Sequence, residues 1–153
     1  MNAIFAVNSI DGFGVGNTMP WPRSSADLKR FREITTGHTV VMGAKTWLSD
    51  MPKPLPNRRN IVLSKSLKDE RCEVAANLTE LTMMTREDEQ VFIIGGATIL
   101  WTCRPLIKRV YFTRHHVTDH ADIILDSEKY LEGFKRVHRE EMDQFTFDIY
   151  ERE

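Results

Sequence analysis

Cysteine is scarce in this 153-residue chain: Cys72 and Cys103 are too few for a disulfide scaffold and lack the paired spacing of a metal site. Long apolar runs are missing too. The run at residues 3–7 is shorter than a signal-peptide core and far below a membrane span. Neither charge dominates, since 21 Lys and Arg stand against 22 Asp and Glu, which argues against a chain that grips nucleic acid by neutralising many phosphates. The five histidines form no HxH or HExxH pattern, and no serine sits in a GxSxG elbow. Zinc hydrolysis and α/β-hydrolase chemistry are therefore unsupported. No repeat, low-complexity tract or polar linker divides the sequence, so residues 1–153 are expected to form one domain, with free thiols in a cytoplasmic setting and no bound metal, membrane or nucleic acid.

What the chain does contain is alternation. Short β-branched or aromatic runs at residues 2–7, 39–42, 60–63, 90–94 and 109–113 have the length of buried strands. Helix-like stretches at 25–35, 44–49, 78–84 and 97–103 lie between them, the pattern of a largely parallel sheet covered on both faces. Residues 134–139 and 144–150 then predict two adjacent strands, an antiparallel edge. Residues 11–23 hold Gly12, Gly14, Gly16, Pro20 and Pro22 and read as a mobile loop over a site, its glycines supplying positive φ. The GxGxG spacing is not a Rossmann fingerprint, because no helix opens after it.

Five places invite chemistry. Asp27 follows candidate caps Ser24 and Ser25, so its carboxylate could merely complement the helix dipole. At about 100° per residue, however, Asp27, Phe31 and Ile34 fall within about 60° of one another, which puts the acid on the apolar stripe. A sheltered carboxylate needs an internal donor or a ligand with paired N–H groups. Val40-Val41-Met42-Gly43-Ala44-Lys45-Thr46-Trp47 and Phe92-Ile93-Ile94-Gly95-Gly96-Ala97 both read as a strand turning at glycine into a helix, suited either to close packing or to phosphate. A proline-rich turn at residues 52–60 delivers Arg58 and Arg59, which are either solvated or able to clamp a carboxylate. Ser64-Lys65-Ser66 is a polar turn or a phosphate contact.

In this order the motifs resemble the dihydrofolate reductase family. The resemblance runs from Ala3-Ile4-Phe5-Ala6 through Gly14, Asn17-Thr18-Met19-Pro20-Trp21, Asp27-Leu28 with Phe31, Val41-Met42-Gly43 with Thr46-Trp47, and Pro54-Leu55-Pro56 with Arg59-Asn60. It continues through Ile93-Ile94-Gly95-Gly96, Val110-Tyr111-Phe112-Thr113 and Asp122 to Phe147-Asp148-Ile149-Tyr150-Glu151.

That resemblance implies an α/β, single-domain dihydrofolate-reductase-like fold, with a central eight-stranded, mostly parallel sheet, an antiparallel C-terminal strand and flanking helices. It also implies reduction of 7,8-dihydrofolate with NADPH. By similarity Asp27, Trp21 and Thr113 are catalytic, and Ile4, Phe5, Leu28, Phe31, Met51, Leu55, Arg58 and Ile94 join Asp27 and Thr113 around the substrate, with Arg58 facing the glutamate tail. Ala6, Gly14, Val15, Asn17 and Met19 would approach nicotinamide and ribose. Gly43, Ala44, Lys45, Thr46, Gly95, Gly96, Ala97, Thr98 and Ile99 would approach the pyrophosphate, and Ser64 and Lys65 the 2′-phosphate. Ala44 and Thr98 stand where many bacterial members carry arginines, which removes two cationic contacts, and Leu100 replaces a frequent tyrosine. Expected partners are dihydrofolate and antifolate inhibitors, with the chain a monomer. The alternatives are a pyrimidine reductase of riboflavin synthesis, which shares the fold, and a folate- or nucleotide-binding protein without turnover.

Overall fold

The computed structural model describes residues 1–14 and 18–153. Val15 and Asn17, two of the expected cofactor contacts, lie outside the described residues. The expected alternation is present: β1 (Asn2–Asn8), β3 (Thr39–Gly43), β4 (Arg59–Leu63), β6 (Val91–Gly95) and β7 (Arg109–His115) are the main strands of a parallel array. The helices α1 (Ser25–Thr35), α2 (Ala44–Trp47), α3 (Leu78–Thr85) and α4 (Ala97–Cys103) intervene, and α4 runs into a 3₁₀ turn at Arg104–Leu106. Strand β5 (Glu73–Ala75) adds a parallel edge. At the other side β10 (Phe145–Arg152) pairs antiparallel with both β7 and β9 (Phe134–Glu141). The eight strands lie in the order β5-β4-β3-β6-β1-β7-β10-β9.

The central strands are buried at nearly every residue because both sheet faces are covered. Side-chain alternation deals them into two cores: Ala3, Phe5, Val7, Val41, Ile61 and Ile93 face one way, and Ile4, Val40, Met42, Val62 and Phe92 the other. Cys72 and Cys103 are both free thiols.

The segment read as a glycine-loosened loop needs correction. Gly12–Gly14 forms a strand, β2, paired antiparallel with β8 (Ile123–Ile124). A side chain at Gly12 would stand 2.7 Å from Asn8 Oδ1 and 2.8 Å from Ala121 Cβ, so this glycine serves close packing and not positive φ. Asn8 is fully buried and ties the region together. Its Nδ2 donates to the carbonyls of Pro20 (3.3 Å) and Asp119 (2.9 Å), and its Oδ1 accepts from the amides of Ile10 (3.1 Å) and Gly12 (2.8 Å).

Helix beginnings fall into two kinds. Ser24, Asn77 and Asp126 cap α1, α3 and the short α5 (Ser127–Tyr130) by accepting first-turn amides with their side chains. Helices α2 and α4 begin after Gly43 and Gly96 and have no side-chain cap.

Candidate functional site

The Ser24 hydroxyl accepts from the Asp27 amide at 3.3 Å, which starts α1 with the acid in its first turn and its side chain toward the sheet. There it borders a cavity of about 210 Å³ between α1 and strands β1, β6 and β7. Ile4, Phe5, Leu28, Phe31, Ile94 and Thr113 line the cavity with Asp27, as do Trp21 and the expected cofactor contacts Ala6 and Met19. In β6 the register slips so that Met42 sits opposite Gly95 just after Val41 sits opposite Ile93. The slip leaves Ile94 without a partner in β3, a local irregularity of the kind that re-aims side chains at sites.

The carboxylate meets polar partners and not only apolar walls. Thr113 Oγ1 donates to Asp27 Oδ1 at 3.2 Å, and His115 Nε2 lies 3.2 Å from Asp27 Oδ2. Trp21 is almost fully buried and stacks on the His115 ring, with centroids 4.5 Å apart and planes 16° from parallel.

Three residues expected at the substrate do not line this cavity. Leu55 belongs to the core layer against which Met51, Phe31 and Ile94 pack, so it and Met51 stand behind or beside the wall. The Arg58 guanidinium donates to Pro56 O (2.9 Å) and Thr35 Oγ1 (3.1 Å) and lies 5.9 Å from the centre of the Phe31 ring. Burial, then the nearby Arg32 charge, lowers the proton affinity of Arg58. Its neighbour Arg59 is committed elsewhere, bidentate to Glu73 at 2.6 and 2.8 Å and bound to Asp88. The rigid turn thus delivers one structural arginine and one at the end of α1.

Sequence reasoning missed Phe13, Arg23, Arg30 and Phe147, which also line the cavity, and His115 behind the acid. Phe13 was hidden by reading β2 as irregular. Arg30 is held by Glu140 at 2.9 and 3.2 Å, with its guanidinium carbon 4.1 Å above the Phe147 ring centre. A signal for His115 existed: two residues beyond Thr113 on one strand, it shares that residue's face.

A second feature adjoins the cavity at the carboxyl ends of β3 and β6, where open α/β sheets bind ligands. Gly43 and Gly95-Gly96 lie side by side there. A Cβ on Gly43 would stand 2.7 Å from Ile99 Cγ1, one on Gly95 (φ +134°) 3.4 Å from Phe13 Cζ, and one on Gly96 3.6 Å from Thr46 Oγ1. Gly43 thus serves close packing against Ile99, while the space beside Gly95 and Gly96 is less crowded; with no side-chain cap on α2 or α4, these two helix starts form a cradle suited to phosphate oxygens. Lys45 and Thr98 are exposed at its rim, with Ala44, Thr46, Ala97 and Ile99 partly covered. Gly14 ends β2, close to Ile123. Past β4, Ser64 Oγ accepts from the amides of Ser66 (3.3 Å) and Leu67 (3.1 Å), while Lys65 projects into solvent.

A larger cleft of about 470 Å³ opens elsewhere, beside Arg114 and Arg139. It is the weaker candidate, because Arg114 pairs with Asp11 at 3.1 Å and Arg139 with Asp148 at 2.8 Å. Among the described residues no cluster of His, Cys, Asp or Glu is arranged to hold a metal, and no helix is long and apolar enough to cross a membrane.

Comparison with known proteins agrees with this geometry. A family model described as dihydrofolate reductase matches residues 1–152. A dihydrofolate reductase of Bacillus subtilis (strain 168) is 36% identical over 115 residues, 74% of this chain and 67% of that protein. One from Neisseria gonorrhoeae is 33% identical over 135 residues, 86% of this chain and 78% of its own length. A solved structure of dihydrofolate reductase from Enterococcus faecalis, complexed with NADP(H) and RAB-propyl, aligns with a TM-score of 0.86 at 26% identity, covering 99% of this chain and 95% of that one.

Proposed function

This chain belongs to the dihydrofolate reductase family, and from that premise we propose that it reduces 7,8-dihydrofolate to 5,6,7,8-tetrahydrofolate, with NADPH supplying the hydride to pterin C6 and a proton reaching N5. The observation that carries the reading is Asp27, an acid turned into a mostly apolar cavity and held there by Thr113. An anionic acceptor matches two adjacent N–H groups of a pterin edge, and in a low-dielectric site it favours positive charge on the ring that protonation at N5 creates. Asp27 recognises and polarises the ring without having to deliver the proton itself.

The other side chains position and enclose. Ile4, Phe5, Leu28, Phe31 and Ile94 supply the apolar walls that hold a flat ring and keep water out. Trp21 closes the cavity beside Asp27. Met51 and Leu55 buttress Phe31 and Ile94 from the neighbouring core layer. Arg58 sits at the far end of α1 and remains the candidate for the glutamate carboxylate of folate, exchanging its bonds to Thr35 and Pro56 for a charged partner.

The cofactor would lie along Ala6, Gly14, Val15, Asn17 and Met19 and across the cradle of Gly43, Ala44, Lys45, Thr46, Gly95, Gly96, Ala97, Thr98 and Ile99. The fit rests on the side-chain-free strand ends and on the uncapped α2 and α4. Ser64 and Lys65 would meet the 2′-phosphate, Lys65 as the free cation of that turn. The free thiols and the absence, among the described residues, of a helix able to cross a membrane are compatible with a cytoplasmic enzyme. We further propose that the chain acts as a monomer.

The test is spectrophotometric. Purified protein should oxidise NADPH only when dihydrofolate is added, and more slowly when NADH replaces NADPH. No oxidation above background with dihydrofolate, despite measurable folate binding, would leave a binding protein without turnover.

A further inference from the structure

Asp27 has two carboxylate oxygens and each already has a partner, one of them ionisable. Thr113 holds Oδ1, and His115 Nε2 lies 3.2 Å from Oδ2. An ionised carboxylate only accepts hydrogen bonds, so Nε2 carries the hydrogen. The His115 side chain is 4% exposed against 22% for Asp27, and it does not line the cavity. It stands behind the acid.

Its own surroundings fix the ring. The Trp21 indole covers one face, and the Phe145 ring of β10 lies 5.6 Å away, tilted by 53°. Asp27 of α1 is the one charged partner this ring contacts among the described residues. The residues on either side of it face away: Arg114 of β7 binds Asp11 and Ser127, and His116, just past the strand, contacts Thr146. Of the cationic residues around the cavity, Arg30 is neutralised by Glu140 and Arg23 is exposed at the rim.

We propose that His115 is a positioning residue for this site: it fixes the plane of the Asp27 carboxylate from behind, and its protonation state sets the net charge that the pair presents to the pterin. This inference rests on the folate reading above but makes a claim about the empty protein as well. With neutral imidazole the pair carries one negative charge. With imidazolium it carries none, and the stabilisation of positive charge on the ring falls.

Two variants separate positioning from packing. His115→Phe keeps an aromatic ring against Trp21 and removes the donor, whereas His115→Gln keeps an amide donor and removes the titration. His115→Phe should lower kcat/KM for dihydrofolate by about tenfold, the scale of a lost hydrogen bond to a charged group. His115→Gln should recover most of that loss. The acid limb of log kcat/KM against pH should be steeper in the wild type than in His115→Gln, because two coupled groups titrate in one and a single group in the other.

The ligand-free readout is NMR titration of the His115 ring, whose midpoint should fall in Asp27→Asn, where the anionic neighbour is gone. An unmoved midpoint, or wild-type acid limbs in both His115 variants, would overturn the proposal. So would equal losses in the two variants accompanied by equal drops in melting temperature, since that marks a packing role. If wild-type protein does not turn over dihydrofolate but the midpoint moves as expected, the folate reading fails while the charge coupling stands.

Discussion

The cavity beside α1 and the cradle at the ends of β3 and β6 are neighbours built from opposite materials. In the first, side chains do the shaping: an acid held by a hydroxyl and an imidazole, with apolar walls aimed by strand alternation and one register slip. In the second, the shape comes from side chains left out, at Gly43, Gly95 and Gly96, and from helix starts whose N-cap glycines offer no capping side chain. The contrast suits what each half is proposed to meet. A pterin edge presents a fixed pattern of donors that a carboxylate can match, while phosphate oxygens take any N–H that comes close enough.

Side-chain chemistry breaks when a side chain is altered, so the largest effect should come from Asp27→Asn. It should lower kcat/KM for dihydrofolate at neutral pH on the order of 10²–10⁴-fold, the range for a lost proton-directing group. Melting temperature should barely change, because Asp27 is partly exposed and its helix keeps the Ser24 cap. Turnover close to wild type would remove the carboxylate from the mechanism.

The cradle should respond to the reverse operation, adding atoms. An alanine at position 96 makes only an ordinary contact, 3.6 Å from Thr46 Oγ1, so Gly96→Ala should fold yet raise the NADPH dissociation constant about tenfold. The dihydrofolate KM should stay near wild type. Gly43→Ala is its counterpart, since the new Cβ would collide with Ile99 at 2.7 Å and should cost about 1–3 kcal/mol in denaturant unfolding. If Gly96→Ala weakens both ligands alike, the two halves are not separate in the way described.

Arg58→Leu tests the outer limit of the side-chain half. It should weaken binding of folate several-fold, up to about tenfold, and leave a pterin without the glutamate tail unaffected, as expected for loss of one half-buried charged clamp. Equal losses in calorimetric titrations of both ligands would contradict the clamp.

The smallest effect, absent at neutral pH, is alkaline. Burial pushes the Cys103 thiol of α4 up to about 11 and raises the Tyr130 phenol, whose hydroxyl donates to Leu100 O at 3.0 Å. Both groups ionise more readily unfolded than folded. The Cys103 contribution to stability is complete below about pH 9, the ordinary thiol value, and is lost as pH rises through about 11, while that of Tyr130 is complete below about pH 10 and is lost at still higher pH. Because both lie at or beneath α4, NADPH affinity should weaken before dihydrofolate affinity in the same alkaline series.

Much of this arrangement was legible in the sequence, and its gaps have physical causes. The place of Asp27 on the apolar stripe is legible from helical angle, its role from the family resemblance, and the two strand-glycine-helix turns from the change of period. Elements of two to four residues, β2, β5, β8 and α5, are too short to show a period at all. Gly12 was misread because a glycine needed for close approach to Asn8 looks in sequence like one needed for a turn. Arg58 and Arg59 are adjacent and chemically alike, and only the fold shows that Glu73 and Asp88 claim the second. His115 escaped because a long-range pair with Asp27, 88 positions apart, leaves no local trace.

One planar amide, that of Asn8, decides the path of the chain into Trp21. A carboxylate in its place would turn two donors into acceptors facing the carbonyls of Pro20 and Asp119. Asn8→Asp should therefore loosen the segment leading into Trp21 first, with the sheet still intact.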